Sequence, residues 1–130
     1  MKRLFLILLS FAALHACTIE SDPDNAREDF LGDWTCNEYE GDFAPQTYNV
    51  EILAIGSESS VRIIGLYNQG NNFALSGYVQ GSTLFITTQA VDGITIGGSG
   101  IMANSFDRID LNFTADDGSG GDNVKANLLR

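Results

Sequence analysis

From Phe30 onward, apolar and polar residues alternate with a period of two, the repeat of a strand that buries one face. Residues 108–114, RIDLNFT, set Ile109, Leu111 and Phe113 on one side and Arg108, Asp110, Asn112 and Thr114 on the other. Residues 47–54 set Tyr48, Val50, Ile52 and Ala54 against Thr47, Asn49 and Glu51, and 123–128 set Val124, Ala126 and Leu128 against Lys125 and Asn127. The runs VRIIGLY, FALSGYV, TLFITT and ITIGGSGI are short and rich in β-branched or aromatic residues. Turn-forming stretches separate them: GSESS, NQGNN, VQGST, VDG and ADDGSGGDN. This pattern predicts eight strands, near 33–37, 46–54, 60–66, 73–79, 82–88, 93–101, 107–114 and 123–129, and no helix beyond the N-terminal apolar run. Connections of hairpin length make consecutive strands neighbours. The expected fold is all-β: a small eight-stranded antiparallel up-and-down barrel, since closure removes exposed edges.

The predicted interior is bulky: Trp34, Tyr48, Val50, Ile52, Ile63, Phe73, Leu75, Leu84, Ile86, Ile94, Ile96, Ile109, Leu111 and Phe113. An eight-stranded barrel is just wide enough for side chains to fill, or for one small ligand. A filled core is the expectation here and a ligand-lined cavity the alternative. Gly32-Asp33-Trp34, at the start of the first strand, resembles the G-x-W signature of lipocalins and related calycins. That resemblance, carried by three residues and the strand order, implies a lipocalin-like barrel whose tryptophan closes one end beneath an arginine from the last strand. The last strand here offers Lys125, and Arg130 stands at the terminus.

The N-terminal pattern differs. Met1-Lys2-Arg3 precedes an eleven-residue apolar run, Leu4 to Leu14, too short to span a bilayer, which takes about 20 residues. A basic start, a short apolar core and a small residue before a cut read as a secretory signal. Leu14-His15-Ala16-Cys17 resembles the lipobox of bacterial lipoproteins, with His15 where a small or aliphatic residue is usual. The resemblance implies removal of residues 1–16, acylation of Cys17 and, with Thr18 rather than aspartate next, the outer membrane. An ordinary secretory signal is the alternative. Residues 17–29 are polar and acidic, with Glu20, Asp22, Asp24, Glu28 and Asp29, and read as a disordered tether to a domain at 30–130. The run ESDPD resembles an acidic surface-export signal, which would expose the protein at the cell surface; a plain solvated linker is the other reading.

Charge and composition narrow the chemistry. Seventeen acidic residues stand against seven basic ones. Loss of Lys2 and Arg3 with the signal leaves five, a formal charge of −12. Such a chain repels phosphate backbones, so no nucleic-acid partner is expected, and anionic lipid headgroups leave attachment to the lipid anchor. The only histidine, His15, departs with the signal, and with it histidine-based nucleophilic schemes and histidine-ligated metals. Cys36 then has no disulfide partner and reads as a small buried apolar residue rather than a reactive thiol. No cofactor is expected, and the chain reads as a non-catalytic protein.

Three stretches are candidate sites. ADDGSGGDN groups Asp116, Asp117 and Asp122 on a glycine-rich turn, a setting calcium can use, but the twelfth place from Asp117 is Leu128 instead of the glutamate of an EF-hand loop; a solvated hairpin is expected. GGSGI, 97–101, lacks the following helix of a phosphate loop and predicts a bulge or bend in the sixth strand. CNEYEGDFAPQ, 36–46, is the leading binding candidate, a long connection in which Glu38, Glu40 and Asp42 alternate with Tyr39 and Phe43. Acids beside aromatics suit a cationic protein partner. The expected function is thus a lipid-anchored binding or accessory module. A lysozyme inhibitor is one alternative, because LSGYV at 75–79 faintly resembles a motif of small lipoprotein inhibitors; a small lipocalin-like ligand binder is another, and an enzyme using paired carboxylates a third.

Overall fold

The computed structural model describes residues 23–130 apart from Ser57. The apolar leader, Cys17 and the acidic run up to Asp22 lie outside the described residues. Eight antiparallel strands form the domain: β1 (Gly32–Glu40), β2 (Gln46–Ala54), β3 (Ser60–Gly65), β4 (Gly70–Gln80), β5 (Thr83–Val91), β6 (Ile94–Met102), β7 (Arg108–Asp116) and β8 (Gly121–Leu129). Each pairs with the next, and β8 returns to β1 through Cys36↔Leu128 and Asn37↔Asn127, so the barrel is closed. One end, the mouth, carries the connections 41–45, 66–69, 92–93 and 117–120. The other, the base, carries 55–59, 81–82 and 103–107, together with the point where the chain enters β1.

Strand phase follows the alternation. Ile109, Leu111 and Phe113 are buried, while Arg108, Asp110 and Asn112 face solvent. The interior is filled by side chains from every strand, with Trp34, Phe30, Ile52, Phe73, Leu111 and Leu128 among the largest. Of the residues expected inside, Ile94 alone is only partly buried; it sits where β6 starts at the mouth.

Trp34 closes the base. Its indole Nε1 donates to the Phe30 carbonyl at 2.9 Å, and the Arg130 guanidinium carbon lies 4.1 Å from the centre of its ring. Arg130 also donates to the carbonyls of Asp29, Leu31 and Phe106, tying both ends of the domain together. The covering role therefore falls to Arg130, just past β8, while Lys125 points outward and pairs with Glu40 at 3.2 Å.

Three expectations need correction. The tether does not run to residue 29: Pro23–Glu28 form a short helix, α1. Six residues are too few for a stable isolated helix. Ala26 packs against the barrel core, Phe30, just past the helix, is part of that core, and Arg27 reaches the Ser60 carbonyl; together they hold α1 in place. A second small helical segment, a 3₁₀ turn at Leu66–Asn68, occupies the β3–β4 connection. The bulge expected in the sixth strand lies instead in its partner. Between Ile86↔Gly98 and Gln89↔Ile96 the fifth strand holds one residue more than the sixth, and Thr88 presses against Gly97. Gln89 then bonds both the N–H and the carbonyl of Ser76, where β4 and β5 part company.

Candidate functional site

The mouth is built from two buried carboxyls that strand phase turns inward. Along β1 the buried set is Trp34, Cys36 and Glu38; along β8 it is Asp122, Val124, Ala126 and Leu128. Glu38 is 2% exposed and Asp122 4%. Both were expected in solvated connections. Continuing the period of two by one more step from Cys36 and back from Val124 would have found them.

Each carboxyl is paired, as burial demands. Glu38 accepts the Tyr48 hydroxyl at 2.5 Å and the Gln46 side-chain amide at 2.7 Å. The Tyr48 hydroxyl also accepts the Tyr67 N–H at 2.9 Å. Asp122 accepts the Tyr67 hydroxyl at 2.8 Å and the Asp42 N–H at 2.9 Å. Gly41, at φ 137°, lets the β1–β2 connection close down on Asp122: a Cβ there would lie 3.3 Å from the carboxylate and would strain the backbone. The two carboxyls thus hold the 41–45 and 66–68 connections onto the barrel. Tyr67 takes part in both sets of bonds, from a left-handed backbone at φ 60°.

Burial dominates the acidities here. It raises both the Tyr48 and the Tyr67 hydroxyls well above the ordinary phenol range, with bonded Glu38 and Asp122, respectively, adding to the effect. Burial also pushes the Cys36 thiol up to about 12; a hydrogen bond with Tyr48 opposes this and nearby Glu38 adds to it. A thiol so placed is a poor nucleophile. Asp117 differs: bonds from the Ser119 hydroxyl and N–H hold its exposed carboxyl below the usual range.

Removing one oxygen should reveal how closely this network is satisfied. Tyr48→Phe leaves a Glu38 oxygen and the Tyr67 N–H without their partners. Each orphaned buried group costs about 1–3 kcal/mol, so a loss of about 3 kcal/mol is expected in denaturant unfolding. A change under about 0.5 kcal/mol, the range of ordinary surface substitutions, would show that the bonds are dispensable.

Above this layer a cleft of about 250 Å³ opens to solvent. Phe43, Tyr67 and Ile94 form its apolar side, and Asp42, Asp117, Ser119 and Asp122 its polar side. Phe43 is 61% exposed and stands edge-on to Tyr67, with ring centres 5.6 Å apart. Of the five residues expected to bind, Asp42 and Phe43 meet here. Tyr39 and Glu40 face outward at the end of β1, Glu40 paired with Lys125, and Glu38 lies beneath the mouth. The correction has one cause: β1 runs to Glu40, so the connection is Gly41–Pro45 and not 36–46. Tyr67 and Asp117 join the site from other connections and Ile94 and Asp122 from the mouth ends of β6 and β8, a grouping that only barrel closure produces.

The three aspartates of the ADDGSGGDN stretch do not converge. Asp116 accepts the N–H groups of Gly118 and Gly120, Asp117 bonds Ser119, and Asp122 faces inward. Among the described residues no three acidic, cysteine or histidine side chains gather to hold a metal ion. LSGYV lies within the barrel wall: Leu75 and Val79 are core, and the Tyr78 ring stacks on Phe85 outside at 4.9 Å. No helix among the described residues is long and apolar enough to cross a membrane. Compared with known proteins, the chain matches no family model, no curated protein and no solved structure.

Proposed function

We propose that this chain is a non-catalytic binding module, anchored to the outer membrane through acylated Cys17, whose mouth receives basic side chains of a cationic protein. The observation that carries the reading is the cleft, in which an exposed phenylalanine and two further apolar walls face three aspartates. Lysine and arginine side chains have that same division: an apolar stem that packs on rings and a charged head that seeks carboxylates. At about 250 Å³ the cleft falls below the roughly 300 Å³ at which small-molecule sites begin. An inserted side chain therefore suits it better than a free ligand. Charge favours the same class of partner. Glu40, Asp42, Asp92, Asp116, Asp117 and Asp122 all lie toward the mouth, where Lys125 is the only basic residue described. Such a field speeds the approach of a cation and weakens with salt.

A photo-cross-linking residue at Phe43, introduced in the acylated protein in its own cells, tests the reading. Adducts should map to lysine- or arginine-rich segments of a protein. Adducts on acidic or apolar segments, or the same adducts from a wall position such as Thr47, would overturn it. With the partner purified, Asp42→Asn together with Asp117→Asn should slow association about tenfold at low salt and flatten its salt dependence. Phe43→Ala should raise the dissociation rate by about tenfold instead, as loss of an aromatic anchor does. Asp122 is left intact in both variants because it holds the connections. A basic lysozyme is one partner of this class, and direct inhibition assays distinguish that case.

A further inference from the structure

The base of the barrel differs from the mouth in the character of its surface, and this difference suggests a second contact. Among the described residues, five of the seven exposed large apolar side chains lie in the basal half: Leu53, Tyr78, Ile101, Phe106 and Leu129. Ile101 is 59% exposed and Phe106 53%. The register makes part of this set continuous. Tyr78 pairs with Phe85 and stacks on it, and Ile101, paired with Thr83, is Phe85's diagonal neighbour on the same outer face. Phe106 is held at the rim: its carbonyl accepts two bonds from Arg130, and its backbone is left-handed at φ 60°. The described arginines segregate along the same axis: Arg27, Arg62, Arg108 and Arg130 all lie in the basal half, where they offset part of the charge of Glu28, Asp29, Asp33, Glu58, Asp107 and Asp110, while the mouth has Lys125 alone among described basic residues.

We infer that the base is a bilayer-contacting face, with Phe106, Ile101 and the Tyr78–Phe85 stack resting in the headgroup layer. This rests on the proposed acylation of Cys17. Residues 17–22 separate that cysteine from α1, and six residues reach at most about 20 Å. The chain enters the barrel at the base, through α1 and Phe30. A lipid on Cys17 therefore keeps the base within one tether length of the membrane. Two further forces set orientation. Anionic headgroups repel the acidic mouth more than the arginine-bearing base. Rings with an apolar body favour the interface between headgroups and acyl chains. Strands of nine residues, inclined by about 40°, make a barrel roughly 20–25 Å high, so the mouth is presented outward by that distance. The same chain thus has a membrane end and a partner end.

The acylated full-length protein, reconstituted in vesicles of phosphatidylethanolamine and phosphatidylglycerol, tests this. An environment-sensitive fluorophore is placed on Ser105→Cys at the base or on Ser119→Cys at the mouth, and the lipid headgroups carry a nitroxide quencher. The basal label should be quenched about twofold, because only groups within the headgroup layer meet the quencher, and the mouth label should be unaffected. Ile101→Asp with Phe106→Asp should abolish the basal quenching without altering the circular dichroism of the barrel. Mass spectrometry of the Cys17 peptide accompanies each sample. A peptide without acyl mass removes the anchor reading and this inference with it. An acylated protein whose two labels behave alike overturns the membrane contact alone. Basal burial that depends on protein concentration and not on lipid would also overturn it, assigning the face to a second copy of the chain.

Discussion

Trp34→Ala is expected to cost the domain about 4 kcal/mol, near the middle of the range for deleting a large buried aromatic. Three losses coincide. The indole fills the base of the barrel and is almost wholly buried. Its N–H satisfies the Phe30 carbonyl, which joins α1 to β1. Its ring also carries the Arg130 guanidinium, which bonds three carbonyls on two other segments. Removing the ring therefore opens a cavity and frees the residue that staples the termini. Domains of this size are stable by only about 5–15 kcal/mol. Since each 1 kcal/mol moves the midpoint by about 4–8 °C, thermal unfolding should shift down by roughly 20 °C. Arg130→Ala should cost less, about 1–2 kcal/mol, because the ring still fills the base. A Trp34→Ala midpoint within a few degrees of the parent would show that the base is not where the fold is closed.

Gly98→Ala should be nearly as damaging, although it adds a single methyl. A Cβ at Gly98 would lie 2.2 Å from the Asn112 carbonyl oxygen and 2.6 Å from the Phe113 Cα. Both are backbone atoms of β7, the strand against which Gly98 is in register with Phe113. No rotamer change can make room, so β6 and β7 must separate locally, breaking a ladder that otherwise runs in unbroken register from Thr95↔Asp116 to Met102↔Ile109. A cost of about 3 kcal/mol is expected, the upper part of the range for overpacking. Gly121→Ala is the matched control. It meets nothing within 4 Å and needs no left-handed backbone, so it should be close to neutral. Denaturation midpoints at constant m-value decide the comparison. Equal midpoints for the two variants would mean that β6 lies farther from β7 than the register requires.

The strands were legible because a half-buried strand writes its two faces into alternate residues, as Ile109, Leu111 and Phe113 do against Arg108, Asp110 and Asn112. The boundaries were less so. The expected first strand stopped at Asn37 because Glu38, Glu40 and Asp42 read as a solvated acidic connection. A carboxyl is costly to bury, and local polarity alone argues against an inward position. What reverses the sign is the Tyr48 hydroxyl, ten residues away, and the Gln46 amide. Asp122 is the same case, its burial made tolerable by Tyr67, fifty-five residues distant. Glycine marks irregular backbone, so the sequence points to a bulge in the glycine-rich sixth strand. The glycines instead make room for a neighbour's extra residue, which no reading of one strand reveals.

The alternation, turn residues and length were enough to determine an eight-stranded antiparallel meander and its inward set, because these depend on local periodicity and short connections. The resemblance of Gly32-Asp33-Trp34 to the G-x-W signature likewise implies a tryptophan at one end of the barrel, where Trp34 lies. Tertiary structure alone decided which arginine covers it, which carboxyls turn inward, and that Asp42, Phe43, Tyr67, Ile94 and Asp117 share one cleft. These residues come from three connections and the start of β6, separated along the chain. Closure of β8 onto β1 brings them together, and a long-range closure leaves no mark on the spacing of residues within any one strand.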